Sequence, residues 1–331
     1  MHELTPKQRT AKNQAKQHFL SPNHAQSATI GGVANSFSFE KNVIGIGIGP
    51  KIVGNSIEAQ ESVRIYVRVK IPRNELAPTD VVPANFGNLP TDVIEIGDVT
   101  AFPVTKTWDR QKKNRPTTSC GVSVGHPNIT AGTLGCLVEK NGEKFILSNN
   151  HVLANSNSAS IGDKIIQQGK ADGGSSPSED IATLTDWKSL DFTGAANDID
   201  AAIAKLDATS LVEREIVDIG SPLKTTASAA LYQSVRKHGR TTGHTVGVIV
   251  DLSVDIWVNY GVSGRAWFEN QIGITGIYGQ IFSQGGDSGS LIVDAVTLNP
   301  VGLLFAGGGG MTFANRIDDV LNYFNVSIVG A

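Results

Sequence analysis

The chain has 331 residues, 40% of them hydrophobic, 18% charged and 6% aromatic, with a formal net charge of -3. That is ample material for a packed core, and the length alone suggests two domains. The weak negative balance lacks the basic face that phosphate binding requires, which argues against nucleic acid as a partner. No apolar run approaches the length of a membrane span.

The opening segment, MHELTPKQRTAKNQAKQHFL, is polar and has no apolar core of the signal-peptide kind. Cys120 and Cys136 are the only cysteines, so there is no disulfide framework. These features lead us to expect a cytoplasmic protein without membrane contact, and no His/Cys/Asp cluster has metal-ligand spacing. No cofactor is expected. The G-I-G-I-G of residues 45–49 does not lead into a helix, which makes it a weak phosphate loop.

In chain order, residues 4–20 are expected to be helical. Thr5 suits the cap and Pro6 the first turn, and Ala11, Ala15, Phe19 and Leu20 make one narrow apolar stripe. Ser21 and Pro22 end it. Val43–Ile48 alternates Gly with Ile, and Val63–Val69 alternates apolar with basic residues, a period of two that marks half-buried strands. A third strand is expected at Asp92–Ile96, after a proline-rich loop. Residues 1–115 thus read as a small α+β domain whose charged tail, WDRQKKNRP, is a linker. From residue 116 to 331, short Val/Ile runs alternate with Gly, Asn and Asp turns, the pattern of a barrel or sandwich. A short helix at IDDVLNYF closes the chain.

Three segments carry chemistry: LSNNHVLA (147–154), NDIDAAIAKL (197–206) and QGGDSGSLI (284–292). A serine hydroxyl is unreactive near neutral pH unless an imidazole takes its proton. The imidazole needs a carboxylate to fix its tautomer, and the oxyanion needs backbone N–H donors at the nucleophile turn. His151, Asp200 and Ser288 fill these roles, with the amides of Gly286 and Ser288 as the oxyanion donors. Asp198 rivals Asp200, because residues two apart on an extended chain share a side; the A-I-A-K-L register favours Asp200. The chain order His, Asp, Ser is that of the chymotrypsin class. The alternative is a latent or non-cutting protein of the same kind that binds peptides and is controlled by its N-terminal domain or a partner. His126, His238 and His244 read as surface or structural.

GDSGS with S-N-N-H-V upstream resembles the trypsin-like clan, and HGRTTGHTVG (238–247) resembles the bacterial alpha-lytic and streptogrisin proteases. VIGIGIGPK, VKIPRNELAP, PTDVIEIG, GHPNITAGTLG, FSQGGDSGSL and VGLLFAGGG extend the likeness over residues 40–330. That longer pattern is similar to the plant NARROW LEAF proteins and their bacterial relatives. The resemblance implies a mainly β, two-barrel protease domain with the site in the cleft, and a protein or peptide substrate. It also implies a buried ion pair between Asp287 and a cation, Lys237 first and Arg240 second. No Ile-Val-Gly-Gly-like start lies near residue 118, and the T-I-G-G at 29–32 is too early. The enzyme is therefore expected to need no activating cleavage.

The specificity pocket is expected from Phe282, Ser283, Phe305, Ala306 and Gly307, with Thr312 and Phe313 closing it. None is acidic, so an apolar or small residue is expected at the cleaved position. The bridge usual beside the catalytic histidine is missing, since Val152 follows His151. The cysteines are expected to be buried free thiols on neighbouring strands. The N-terminal domain is a candidate surface for self-association or for holding the enzyme latent.

Overall fold

A computed structural model describes residues 4–20, 42–53, 56–97, 99, 109–112, 117–207, 212–277 and 279–331. Helix α1 (Pro6–Phe19) begins with a capping box: the Gln8 N–H donates to Thr5 Oγ1 at 3.3 Å, and the Thr5 N–H donates to Gln8 Oε1 at 2.7 Å. Its buried stripe of Ala11, Ala15 and Phe19 packs on Ile46, Ile48, Val63 and Ile65. These belong to β1 (Val43–Val53) and β2 (Ser56–Val67), which β3 (Asn85–Phe86) and β4 (Leu89–Glu95) follow. Positions 21, 22 and 29–32 and most of the charged tail lie outside the described residues.

The middle of the chain forms β5 (Thr118–Cys120), β6 (Ser123–Val124), β7 (Gly132–Thr133), β8 (Cys136–Lys140), β9 (Glu143–Ser148), α2 (Asn150–Leu153), β10 (Lys164–Ile166), β11 (Asp180–Trp187), β12 (Ala196–Asn197), β13 (Ala202–Leu206) and β14 (Val212–Ile216). The last part forms β15 (Ser234–Gly239), β16 (Gly243–Asn259), β17 (Arg265–Gly276), β18 (Leu291–Asp294), β19 (Pro300–Gly308), β20 (Met311–Arg316), α3 (Ile317–Phe324) and β21 (Ser327–Ile328).

The architecture is mainly β, in two bodies. The first is a six-stranded sheet ordered β10-β11-β13-β9-β8-β21. In the second, β15, β16, β17, β20, β19 and β18 pair in turn and β18 returns to β15, which closes a ring. Closure removes the exposed strand edges that an open sheet would carry.

The sequence sets residues 1–115 apart, yet β1 hydrogen-bonds to β16, with Gly45 opposite Ile256. The reason is the length of β16: β17 runs along one side of it from Gly247 to Asn259, while on the other side β15 covers only Gly243–Val248 and leaves Asp255 and Ile256 for β1. The alternating glycines of β1 make this approach possible. A Cβ on Gly49 would meet the Val250 carbonyl at 2.3 Å and Asp251 Oδ1 at 2.4 Å. The G-I-G-I-G run therefore serves close packing.

Cys120 and Cys136 are buried free thiols. β5 pairs with β14 and β8 lies in the six-stranded sheet, but the two cysteine segments run side by side: the Gly121 N–H donates to the Leu134 carbonyl at 2.6 Å, and the Leu134 N–H to the Val122 carbonyl at 2.9 Å. Burial pushes both thiols up, which keeps them protonated. No helix among the described residues is long and apolar enough to cross a membrane.

Candidate active site

The three segments meet where the two bodies face each other. His151 lies in α2, one turn of helix directly after β9 of the first sheet. Asp200 lies between β12, which pairs with β17 of the second body, and β13, which pairs with β9 of the first. Ser288 lies in the turn before β18 of the second body.

His151 Nδ1 is 2.6 Å from Asp200 Oδ2, and the His151 N–H donates to Asp200 Oδ1 at 3.2 Å. Asp200 is fully buried, and the bonds around it form a cage. Asn315 Oδ1 accepts from the Asp200 N–H at 3.0 Å, and Asn149 Nδ2 donates to the Asp200 carbonyl at 2.7 Å. Tyr260 donates its hydroxyl to Asp200 Oδ2 at 2.8 Å. Asp198, by contrast, has a side chain 60% exposed and pairs with Lys188 at 3.2 Å. Between the two acids the chain passes from β12, paired with β17, to β13, paired with β9, and the two side chains end in opposite environments, Asp198 exposed and Asp200 fully buried.

Ser288 stands between two glycines in the left-handed region, Gly286 (φ 95°) and Gly289 (φ 94°). At Gly289 a Cβ would meet Ser148 Oγ at 2.0 Å and the Thr133 carbonyl at 2.3 Å. Among the described residues, neither the Gly286 nor the Ser288 amide donates a hydrogen bond. Ser288 Oγ donates to the Phe305 carbonyl at 3.4 Å, and His151 Nε2 is buried with no hydrogen-bond partner. The hydroxyl and the imidazole are thus not bonded to each other.

Thr133 ties this turn to its surroundings. Its N–H donates to the Ser288 carbonyl at 2.8 Å, and its hydroxyl donates to the Gly286 carbonyl at 2.8 Å. The same hydroxyl accepts from the Arg240 N–H at 2.9 Å, and the Thr133 carbonyl accepts from Ser148 Oγ at 2.7 Å. Ser148 ends the strand that leads into His151.

Asp287 is fully buried, 3.3 Å from Lys237 Nζ, itself fully buried. Asp287 also accepts from the amides of Thr241 (2.8 Å), Thr242 (3.1 Å) and Gln284 (2.9 Å). Burial lowers the Lys237 ammonium from its ordinary value, and the Asp287 carboxylate opposes the shift. Arg240 is engaged elsewhere, in a buried pair with Asp172 (Nε to Oδ2, 2.6 Å). Arg110, from the charged tail, donates to the Thr241 carbonyl at 3.0 Å and so touches the loop that cradles Asp287.

Phe282 packs in an apolar cluster with Ile249, Ile274 and Ile292, while Phe305 and Ala306 pack with Phe268 and Phe313. Both phenylalanine rings are core, and what adjoins Ser288 is the Phe305 carbonyl. Ser283 Oγ and Thr312 Oγ1 are 2.6 Å apart, and Gly307 pairs with Thr312 between β19 and β20. His126 and His238 are buried. The His126 N–H donates to the Val152 carbonyl at 3.0 Å, and His238 Nδ1 is 2.9 Å from the Gly121 carbonyl. Tyr260, Thr133, Asn315 and Asn149 were given no role from the sequence. Asn149 and Thr133 lie inside quoted motifs, LSNNHVLA and GHPNITAGTLG; nothing local marks Tyr260 or Asn315, whose shared partner Asp200 is 60 and 115 residues away.

No protein-family model matches the chain, and no curated protein matches it. Among solved structures, it is similar to a serine protease described as specific for glutamic acid, at 19% identity and a TM-score of 0.46, covering 64% of this chain and 100% of that one. Thermobifida fusca protease A is similar at 18% identity and a TM-score of 0.46, covering 65% of this chain and 100% of its own. For Cellulomonas bogoriensis chymotrypsin the figures are 17% and 0.44, with 65% and 100% covered. At this distance the functional reading is left to the residues themselves.

Proposed function

We propose that the protein is a serine endopeptidase of the trypsin-like class, working through His151, Asp200 and Ser288. The observation that carries the reading is the 2.6 Å contact between His151 Nδ1 and the fully buried Asp200, beside a serine held between two left-handed glycines. With Nδ1 tied to the carboxylate, Nε2 is left as the base. Ser288 Oγ turns from the Phe305 carbonyl and passes its proton to Nε2 as it bonds to the scissile carbonyl carbon. The Gly286 and Ser288 amides take the oxyanion. Nε2 then returns the proton to the leaving amine as the C–N bond breaks. Water repeats the sequence on the acyl-enzyme, releases the acid and restores the hydroxyl.

The Asp287–Lys237 pair holds the turn without a newly cut N-terminus, in keeping with an enzyme that needs no activating cleavage. The substrate is a peptide or protein with an apolar or small residue at the cleaved position, since no acid lies among the pocket residues named above. The likeness to the NARROW LEAF proteins belongs to this reading.

One observation favours a second reading, a latent or peptide-binding protein: Ser288 Oγ is bonded to Phe305 and not to His151. Labelling of the full-length protein with a fluorophosphonate separates the two. Under the protease reading the wild type labels and Ser288→Ala and His151→Ala do not. Asp200→Asn slows labelling on the order of 10⁴-fold, and Asp198→Asn leaves it within about twofold. A folded wild type that does not label overturns the protease reading.

A further inference from the structure

Asp200 Oδ2 is shared. It lies 2.6 Å from His151 Nδ1 and accepts the Tyr260 hydroxyl at 2.8 Å. Tyr260 is 8% exposed and lies outside the three site segments, in the turn joining β16 to β17 of the second body. Its N–H closes that turn on the Gly264 carbonyl at 2.8 Å. The ring meets the His151 ring edge-on at 5.7 Å and that of Phe192 at 5.6 Å, and stacks on Phe268 at 6.2 Å. Ring packing therefore places the hydroxyl, and removing the oxygen alone leaves that packing in place.

The same hairpin grips the Asp200 segment elsewhere. Strand β12 runs parallel to β17, with Asn197 opposite Phe268. Asn197 Nδ2 donates to the Trp267 carbonyl at 3.0 Å, and Gln271 Nε2 donates to the Asp198 carbonyl at 2.8 Å. Gln271 Oε1 accepts from Asn315, whose own oxygen caps the Asp200 amide.

We propose that Tyr260 is a positioning residue for the His151–Asp200 pair, its hydroxyl drawing on the Asp200 Oδ2 charge that would otherwise go wholly to the imidazolium, and thereby setting the pH range in which His151 acts as a base. The proposal rests on the protease reading for its consequence, though not for its geometry. A carboxylate that accepts an extra hydrogen bond is a weaker partner for a cation on the same oxygen. Burial, followed by the neighbouring Asp200 charge, raises the phenol well above its ordinary value, so it stays a donor throughout the working range.

Few other charges face the pair. Asp198, before β13, and Lys188, directly after β11, are paired with each other and partly in solvent. From α3, Asp319 feels Asp198. Beside the pair, β20 contributes the neutral Asn315 and the residue before α2 the neutral Asn149.

The test follows the rate of fluorophosphonate labelling against pH for the full-length wild type and Tyr260→Phe. In parallel, the His151 imidazole titration is followed by proton NMR. The expected result is an acidic limb, and a matching imidazole titration, moved up by about 0.5–1 pH unit in Tyr260→Phe. The plateau rate stays within about threefold. A ring-fluorinated tyrosine at position 260, a stronger donor, moves both the other way. An unmoved imidazole titration in Tyr260→Phe overturns the proposal, as does a uniform loss of rate at every pH. Because the NMR titration does not need a reactive serine, a wild type that fails to label overturns the protease reading and still leaves the Tyr260 coupling decided.

Discussion

The Thr133 hydroxyl donates to the Gly286 carbonyl at 2.8 Å, on the residue whose amide is the proposed oxyanion donor. The Thr133 N–H holds the Ser288 carbonyl at the same distance, so one fully buried residue clamps both sides of Asp287. Through Arg240 and Ser148 it joins that turn to the Asp287 cradle and to the strand before His151.

Thr133→Val keeps the shape and the backbone bond but loses the hydroxyl. The Gly286 carbonyl and the Arg240 amide are then buried without partners, at a cost of about 1–3 kcal/mol in stability. The looser turn is expected to lower kcat by about tenfold to a hundredfold with KM within about threefold, because the oxyanion contact is made in the transition state. Thr133→Ser restores both. Steady-state kinetics on a peptide substrate together with urea melts check this; an unchanged kcat in the valine variant contradicts it.

Asp251 sets a pH dependence of stability. It is fully buried against Arg64 at 2.9 Å, also bonded to the Tyr66 hydroxyl, and burial raises its carboxyl to about 6 from 3.8 despite the nearby guanidinium. The folded state thus binds more protons than the unfolded state between those values. Asp251 contributes stability that is complete below about pH 4 and lost as the pH rises through about 6, by roughly 2–3 kcal/mol. Asp251→Asn removes that slope. Urea melts at about pH 4 and about pH 7 are expected to show the wild type losing its advantage over the variant at the higher pH; a constant difference contradicts the assignment.

Lys12 fastens α1 to the hairpin that carries Tyr260. Its ammonium is buried, 2.8 Å from Asp255 and 2.6 Å from the Ser253 hydroxyl, and Lys16 reaches Glu269 on β17 at 2.5 Å. Lys12→Met leaves Asp255 buried with only Lys16, 3.6 Å away, as a cation. The expected loss is about 2–4 kcal/mol in chemical denaturation, since a broken buried pair strands a charge. Lys12→Met combined with Asp255→Leu is expected to recover most of it. Equal stability of the single variant and the wild type contradicts the role.

The parts of this protein that local chemistry decides could be read in advance. Thr5, Pro6 and Gln8 specify where α1 begins, because a cap is satisfied within four residues. Period-two alternation marked β2, and the His, Asp and Ser motifs are short, so their residue types and order stood in the sequence. Other relationships depend on chain segments that meet only when folded. The A-I-A-K-L register already favours Asp200 over Asp198; what the fold adds is the environment of each, Asp198 exposed beside Lys188 and Asp200 fully buried. The attachment of β1 to β16 follows from a strand longer than its first partner. The supports of the site, Tyr260 on Asp200 and Thr133 on Gly286 and Ser288, are bonds between residues 60 and about 150 positions apart. A hydroxyl carries no sequence mark of the carbonyl or carboxylate it will meet; closing the two β bodies against each other is what supplies that partner.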